Sequence, residues 1–293
     1  MKGVRLPAVL TMVVLVAAGH SQAARHYSAS GLLIQVDRPH HTMDVSCQAI
    51  PGYMSAMEMR FPVRKQVALD GLQPGMTIEF TLAVKKHSAY VENIRIHQYE
   101  STDQEPMEVR QLKLVENLVA PNGEKTLDVG QPVPDFTLID QTRQNVTFSE
   151  LAGKVVAITF IYTSCPLPNY CFRLSNNFGL LRKRFAERMD RDLVLLSVTF
   201  DPDHDRPEVL DRYASTWKSD AKGWYFLTGP TPEVQKVCHM FGMNFWPDEG
   251  LMTHSLHTVI VGRDGKVVAN LEGNEFTAQQ LGDFVETVLR RPN

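Results

Sequence analysis

Near residue 130 the chain changes the period of its apolar residues, and no other feature constrains its fold as much. From Ser30 to about Gln98 it falls into short alternating runs: Gly31–Val36, His41–Cys47, Met57–Val63, Thr77–Val84 and Ala89–His97. The cluster Gly71-Leu72-Gln73-Pro74-Gly75 marks a turn between two of them. Alternation at period two is a strand signal, and five short strands without a helical period predict a small all-β barrel or sandwich over residues 30–98. Beyond residue 130 strands alternate with helices, which predicts an α/β domain over 130–293. Its first strand is the continuous apolar run Val155–Tyr162, as in a strand buried on both faces. Helices are expected over Phe172–Arg188, Pro207–Trp217, Pro232–Phe241 and Ala278–Arg290, and strands over Leu193–Phe200 and Trp224–Leu227. A hairpin should turn at Arg263-Asp264-Gly265, between Thr258–Val261 and Lys266–Leu271. Residues 99–129 read as a linker with one short helix near Val109–Leu118.

With 43% hydrophobic residues among 293, the chain can bury a core and is not of the disordered class. Its 33 acidic residues against 30 basic ones leave no positive excess to neutralise a phosphate backbone, which argues against nucleic acid as a partner. Lys2 and Arg5, the apolar run Leu6–Ala18 and the small-residue site Ser21-Gln22-Ala23 together read as a cleaved signal peptide over residues 1–23. The apolar run is shorter than the roughly 20 residues that span a bilayer. The expected product is exported and soluble, and its formal charge moves from −3 to −5 as Lys2 and Arg5 leave.

Export alters what Cys47, Cys165, Cys171 and Cys238 imply, because thiols outside the cytosol tend to oxidise. A chain of this size does not need disulfide staples, and one close pair with two singletons suggests chemistry instead. The segment Thr163-Ser164-Cys165-Pro166-Leu167-Pro168-Asn169-Tyr170-Cys171 follows the buried strand, at the strand end where open α/β sheets bind ligands. Cys171 should stand at a helix N-terminus, where the dipole favours a thiolate. Two adjacent thiolates can form a redox disulfide or hold a soft metal ion, often with an imidazole as third ligand. His254, in Met252-Thr253-His254-Ser255, is the candidate imidazole, although it also reads as a polar residue entering a strand. Thioredoxin-type oxidoreductases generally pair a two-residue gap between cysteines with a cis-proline; here the gap is five residues and no proline adjoins His254, so by that comparison metal binding is favoured over general dithiol exchange.

In the first domain Met57 and Met59 are two residues apart, which in a strand sends both thioethers to one face. Thioethers suit Cu(I); the alternative is that they fill the core. Met54 precedes them in a loop. Cys238 belongs to the stripe Val234, Val237, Cys238 and Phe241 and should be buried and inert. Asp203-His204-Asp205 reads as a solvated loop, with a loop bordering the site as the alternative, and His257 as a spare polar contact.

These residues carry two resemblances. Val133-Pro134-Asp135-Phe136-Thr137-Leu138, the cysteine loop, Leu196–Pro202 with Arg206–Leu210, and Thr253-His254-Ser255 ahead of Gly262–Gly265 resemble the SCO/SenC group. That resemblance implies a thioredoxin-like fold and a copper site formed by Cys165, Cys171 and His254. It also implies a role in assembling the binuclear copper centre, CuA, of cytochrome c oxidase. The common loop of the group has three residues between its cysteines where this chain has five, and Thr253 stands where an acidic residue often does. Residues 30–98 resemble the CusF-type periplasmic copper-binding domains through Met57–Phe61 and Leu72–Gly75, which implies an OB-like barrel binding Cu(I) through Met57 and Met59. Cys47 stands near the position of the usual histidine and Met54 near that of the usual tryptophan.

The expectation is a periplasmic copper chaperone whose client is the copper subunit of cytochrome c oxidase, a membrane protein. A thiol reductant would keep the cysteines able to bind, and the linker would let the domains approach. Its rivals are a thiol–disulfide oxidoreductase, with Cys165 and Cys171 as catalytic residues, and a copper buffer without a client.

Overall fold

The computed structural model describes residues 24–86, 88–97, 126–217, 222–248 and 251–291. The expected signal peptide and the helix expected near 109–118 lie outside these residues, as does most of the expected linker. Among the described residues no helix is long and apolar enough to cross a membrane.

The first sheet contains β1 (Arg25–Asp37), β2 (Thr42–Cys47), β3 (Met57–Pro62), β4 (Thr77–Lys85) and β5 (Ser88–Ile96). Its order is β3-β2-β1-β4-β5, and a bridge between Val63 and Val91 brings its two ends together. This is the strand order of an OB-like barrel. The long β1 makes it possible, pairing through Arg25–Leu32 with β4 and through Gly31–Asp37 with β2. Gly31 lies where the two pairings overlap. A Cβ there would come within 2.5 Å of the Ser46 carbonyl oxygen, so the strands close only on glycine.

The second sheet runs β14-β13-β8-β9-β10-β6-β7. At its centre β8 (Val155–Ile161), β9 (Leu193–Thr199) and β10 (Trp224–Thr228) are parallel. Every residue of β8 and β9 is buried, as their unbroken apolar runs require. Antiparallel partners flank them: β13 (His257–Val261) with β14 (Val267–Glu272), and β6 (Thr137–Asp140) with β7 (Asn145–Thr147). Among the described residues four α-helices accompany the sheet: α1 (Arg173–Arg184), α2 (Pro207–Thr216), α3 (Thr231–Met240) and α4 (Ala278–Arg290). This mixed α/β sheet agrees with the expected class.

Two features differ from the sequence-based expectation. The helix expected from Phe172 is preceded by a wide turn over Pro168–Phe172, and α1 begins at Arg173. A separate hairpin, β11 (Phe245–Asp248) with β12 (Leu251–His254), precedes β13. Its strands have four residues each and one contains Pro247, so they carry little strand signal.

The two sheets meet in a packed junction. Along β1, Leu33 enters the barrel core while Leu32 and Ile34 join the core of the second sheet. Helix α4 lies across β1 and β2. Ser46 Oγ donates to Asp283 at 2.6 Å, and Gln280 Nε2 donates to the Ser46 carbonyl at 3.0 Å; all three residues are buried. Gln279 donates to the Ala56 carbonyl at 3.2 Å, and Thr287 Oγ1 to Glu58 at 3.3 Å. Arg184 on α1 in turn grips Asp283 and Glu286.

Candidate metal centre

The cysteine loop leaves the carboxyl end of β8 and is pinned from two sides. Asp205 is completely buried; its carboxylate accepts the Thr163 N–H at 3.0 Å, the Thr163 hydroxyl, and the Thr199 hydroxyl at 2.6 Å. On the other side Asn274 donates to the Asn169 carbonyl, Arg173 to the Glu275 carbonyl at 3.2 Å, and Asn177 to the Phe276 carbonyl at 3.3 Å. Asp205 is therefore not the solvated residue expected from its polar neighbours. His204, beside it, is exposed and pairs with Asp201 at 2.9 Å.

Cys165 and Cys171 are both free thiols in contact with each other, and their environments differ. Cys171 is buried and Cys165 partly exposed. The Cys171 thiol donates to the Cys165 sulfur, and the Leu167 N–H and the Tyr162 hydroxyl assist, so Cys165 is held down at about 6 against its own burial. Burial pushes the Cys171 thiol well up, and the adjacent Cys165 thiolate reinforces this. The thiolate expected at Cys171 is thus found at Cys165, because desolvation outweighs the nearby helix start.

His254 ends β12, opposite Phe245 in the hairpin. Its ring is buried, with ring centroids 4.8 Å from Phe200, 5.9 Å from Tyr162 and 6.0 Å from Tyr170. Burial pulls its pKa down to about 4, so the imidazole is neutral near pH 7. Nδ1–H donates to the Ser255 carbonyl at 2.8 Å, a bond that selects the tautomer and leaves the lone pair on Nε2. Tyr162 connects the two parts, its hydroxyl meeting both the Cys165 sulfur and the Met252 backbone N–H.

The structure brings Cys165 and Cys171 together and stands His254 against the two tyrosines that flank them. Among the described residues no three His, Cys, Asp or Glu side chains form one metal-holding group. A complete three-ligand set therefore requires the histidine hairpin and the loop to draw closer. Sequence reading placed Asp205 in a loop that could border the site but favoured solvation for it, and it missed Tyr162. The only trace of Tyr162 was its place as the last residue of the apolar run.

In the barrel, Met57 and Met59 are 45% and 36% exposed, which excludes the core-filling alternative. Cys47 lies opposite Met57 in the β2–β3 register but is buried, and burial pushes its thiol up to about 12. Met54 packs partly against the barrel core in the turn bridged by Ile50. Tyr53 beside it is exposed and stacks on Tyr27 at 4.6 Å. Glu58 reaches α4 through Thr287, so strand alternation puts Met57 and Met59 on the face turned away from that helix. Cys238 is fully buried with its thiol pushed up by burial, as its stripe predicts. His257 is half-buried and makes a polar contact, its Nδ1 bonded to Asn270 at 2.9 Å.

Comparison with known proteins matches residues 124–290 to the SCO1/SenC family and residues 26–96 to the family of the copper binding periplasmic protein CusF. The chain is 30% identical over 169 residues to the SCO1 protein homolog of Bacillus subtilis, covering 55% of this chain and 84% of that protein. It is 28% identical over 141 residues to the SCO2-like protein of Rickettsia felis, covering 45% of this chain and 65% of that protein. A crystal structure of yeast Sco1 with copper bound is 26% identical, with a TM-score of 0.47, over 57% of this chain and 91% of the yeast chain. The SCO1/SenC match extends over more than half of the sequence, from the strands that carry the cysteine loop to the helix that fastens the barrel, and the chain belongs to the SCO1/SenC family.

Proposed function

We propose that this chain carries copper as cargo outside the cytosol, with one site at Cys165, Cys171 and His254 and a second at Met57, Met59, Met54 and Cys47. The observation that carries the reading is the sulfur pair: partly exposed Cys165 in contact with buried Cys171, with the His254 ring against Tyr162 and Tyr170 beside them. Two sulfurs and an imidazole suit Cu(I). The exposed methionine pair is soft and uncharged, and so suits Cu(I) over Zn(II). The SCO1/SenC and CusF matches support copper as the ion. The client we propose is the CuA subunit of cytochrome c oxidase, with a thiol reductant maintaining Cys165 and Cys171.

Chelator-competed Cu(I) titration of the reduced full chain tests this. Two ions should bind per chain; Cys165→Ser with Cys171→Ser should remove one, and Met57→Leu with Met59→Leu the other. Retention of both ions by both variants overturns the reading. In a deletion strain, normal oxidase assembly would reject the client and leave a copper buffer.

A second reading has its own observation. A partly exposed, acidic thiol beside a buried one is also the arrangement of an attacking and a resolving cysteine. If Cys165→Ser abolishes disulfide-reductase turnover while His254→Ala leaves copper binding unchanged, the protein is an oxidoreductase.

A further inference from the structure

The two candidate copper sites are carried by sheets packed into one body, and the methionine face is turned away from α4. Met57 and Met59 lie on the side of β3 opposite Glu58, and Glu58 is the residue that meets α4. The start of β3 is fixed as well, since Gln279 holds the Ala56 carbonyl next to Met57. The cysteine loop is fastened to Asn274, Glu275 and Phe276, the segment that leads into the same helix. Swinging the barrel against the second sheet would pull Leu32 and Ile34 out of the second core and break the buried bonds among Ser46, Gln280 and Asp283. Removing buried aliphatic side chains from a close-packed core is costly, so a swinging barrel is not a route between the sites.

The surface shows where another molecule would meet each site. Tyr53, Met57 and Met59 make the methionine face apolar and exposed, and Leu167 and Phe172, 38% and 53% exposed, flank the cysteines. Each site thus has an apolar rim around soft sulfur donors, which matches the two surfaces in chemistry.

Resting on the reading that both sites take Cu(I), we infer that copper passes between them from one molecule to another, the methionine face of one copy presenting its ion to the cysteine loop of a second copy. The step is ligand exchange. The Cys165 thiolate adds to the Cu(I) ion, the Cys171 thiol loses its proton to solvent as its sulfur binds, and the copper–thioether bonds break. Copper stays Cu(I), and no electron is transferred. The two surfaces differ, so the contact is heterologous and is made in passing.

The experiment uses the full chain. A donor variant with Cys165→Ser and Cys171→Ser, loaded with one equivalent of Cu(I), is mixed with a reduced acceptor carrying Met57→Leu and Met59→Leu. Native mass spectrometry and copper–thiolate absorption then follow the ion. The expected result is transfer whose rate doubles when the acceptor concentration doubles. Wild-type chain loaded with one equivalent, which needs no variant to fold, should fill its cysteines at a rate that rises with its own concentration. A concentration-independent rate in the wild type, or a loaded donor that never passes its ion to the acceptor, would overturn the inference while leaving the copper reading intact. A donor that binds no Cu(I) would remove the copper reading at the methionines and this inference with it.

Discussion

At the scale of single residues, two sulfurs six positions apart have opposite acid–base behaviour because the Cys171 thiol donates to the Cys165 sulfur while burial keeps Cys171 protonated. In the reduced protein, alkylation of Cys165 should rise with its thiolate fraction, with a midpoint near pH 6, while Cys171 stays unmodified. Peptide mapping after iodoacetamide treatment across that range checks this, and equal labelling of both would refute it. His254 gives a prediction of opposite sense. Its folded pKa of about 4 lies below the ordinary 6.5, so the unfolded chain binds the extra proton and stability is lost as pH falls from 6.5 toward 4. The full loss from this group is about 3 kcal/mol, and His254→Gln should flatten the melting temperature over that interval. The cysteines were legible because a long apolar run delivers them to a sheet end. The thiolate's address was not legible, because it depends on which sulfur the surrounding side chains cover.

At the scale of elements, the cysteine loop is held in place from outside its own sequence. Asp205 joins β8 to β9 through Thr163 and Thr199, and Asp205→Ala should leave those donors unpaired at a cost of about 1–3 kcal/mol. Thermal unfolding should register that loss. Asp205→Asn, which keeps an acceptor for the Thr163 N–H, should recover part of it. In the sequence Asp205 closes a polar triplet, and nothing local separates a buried anchor from a solvated turn, since its partners come from other elements. The central strands and the helices beside them were legible from period alone. The β11–β12 hairpin that presents His254 was not, since four-residue strands containing a proline carry almost no periodic signal. His254 stood out as an imidazole just ahead of the β13 strand, and the SCO/SenC resemblance then set it beside the cysteines.

At the scale of the whole molecule, the junction makes two sheets behave as one unit. The chain should unfold in a single calorimetric transition, and Ile34→Ala, although it lies in a barrel strand, should cost about 2–5 kcal/mol and lower that transition without splitting it. Two separate transitions in the wild type would show that the domains melt independently. Leu32-Leu33-Ile34 did carry a sign of this, since three successive apolar residues break the period-two alternation and ask for burial on both faces. Which second surface would cover them could be seen only once β14 and α4 were in place.

The two-sided strand β1 also has a practical side. Severing the chain between its two halves would leave Leu32 and Ile34 as a bare greasy strip on one fragment and a matching trough on the other. Recombinant pieces made that way should clump or bind each other, and their metal content would describe damaged goods. Modules that resemble free-standing proteins elsewhere have here been soldered together, so the contribution of each is better read by point substitution in the intact molecule than by dissection.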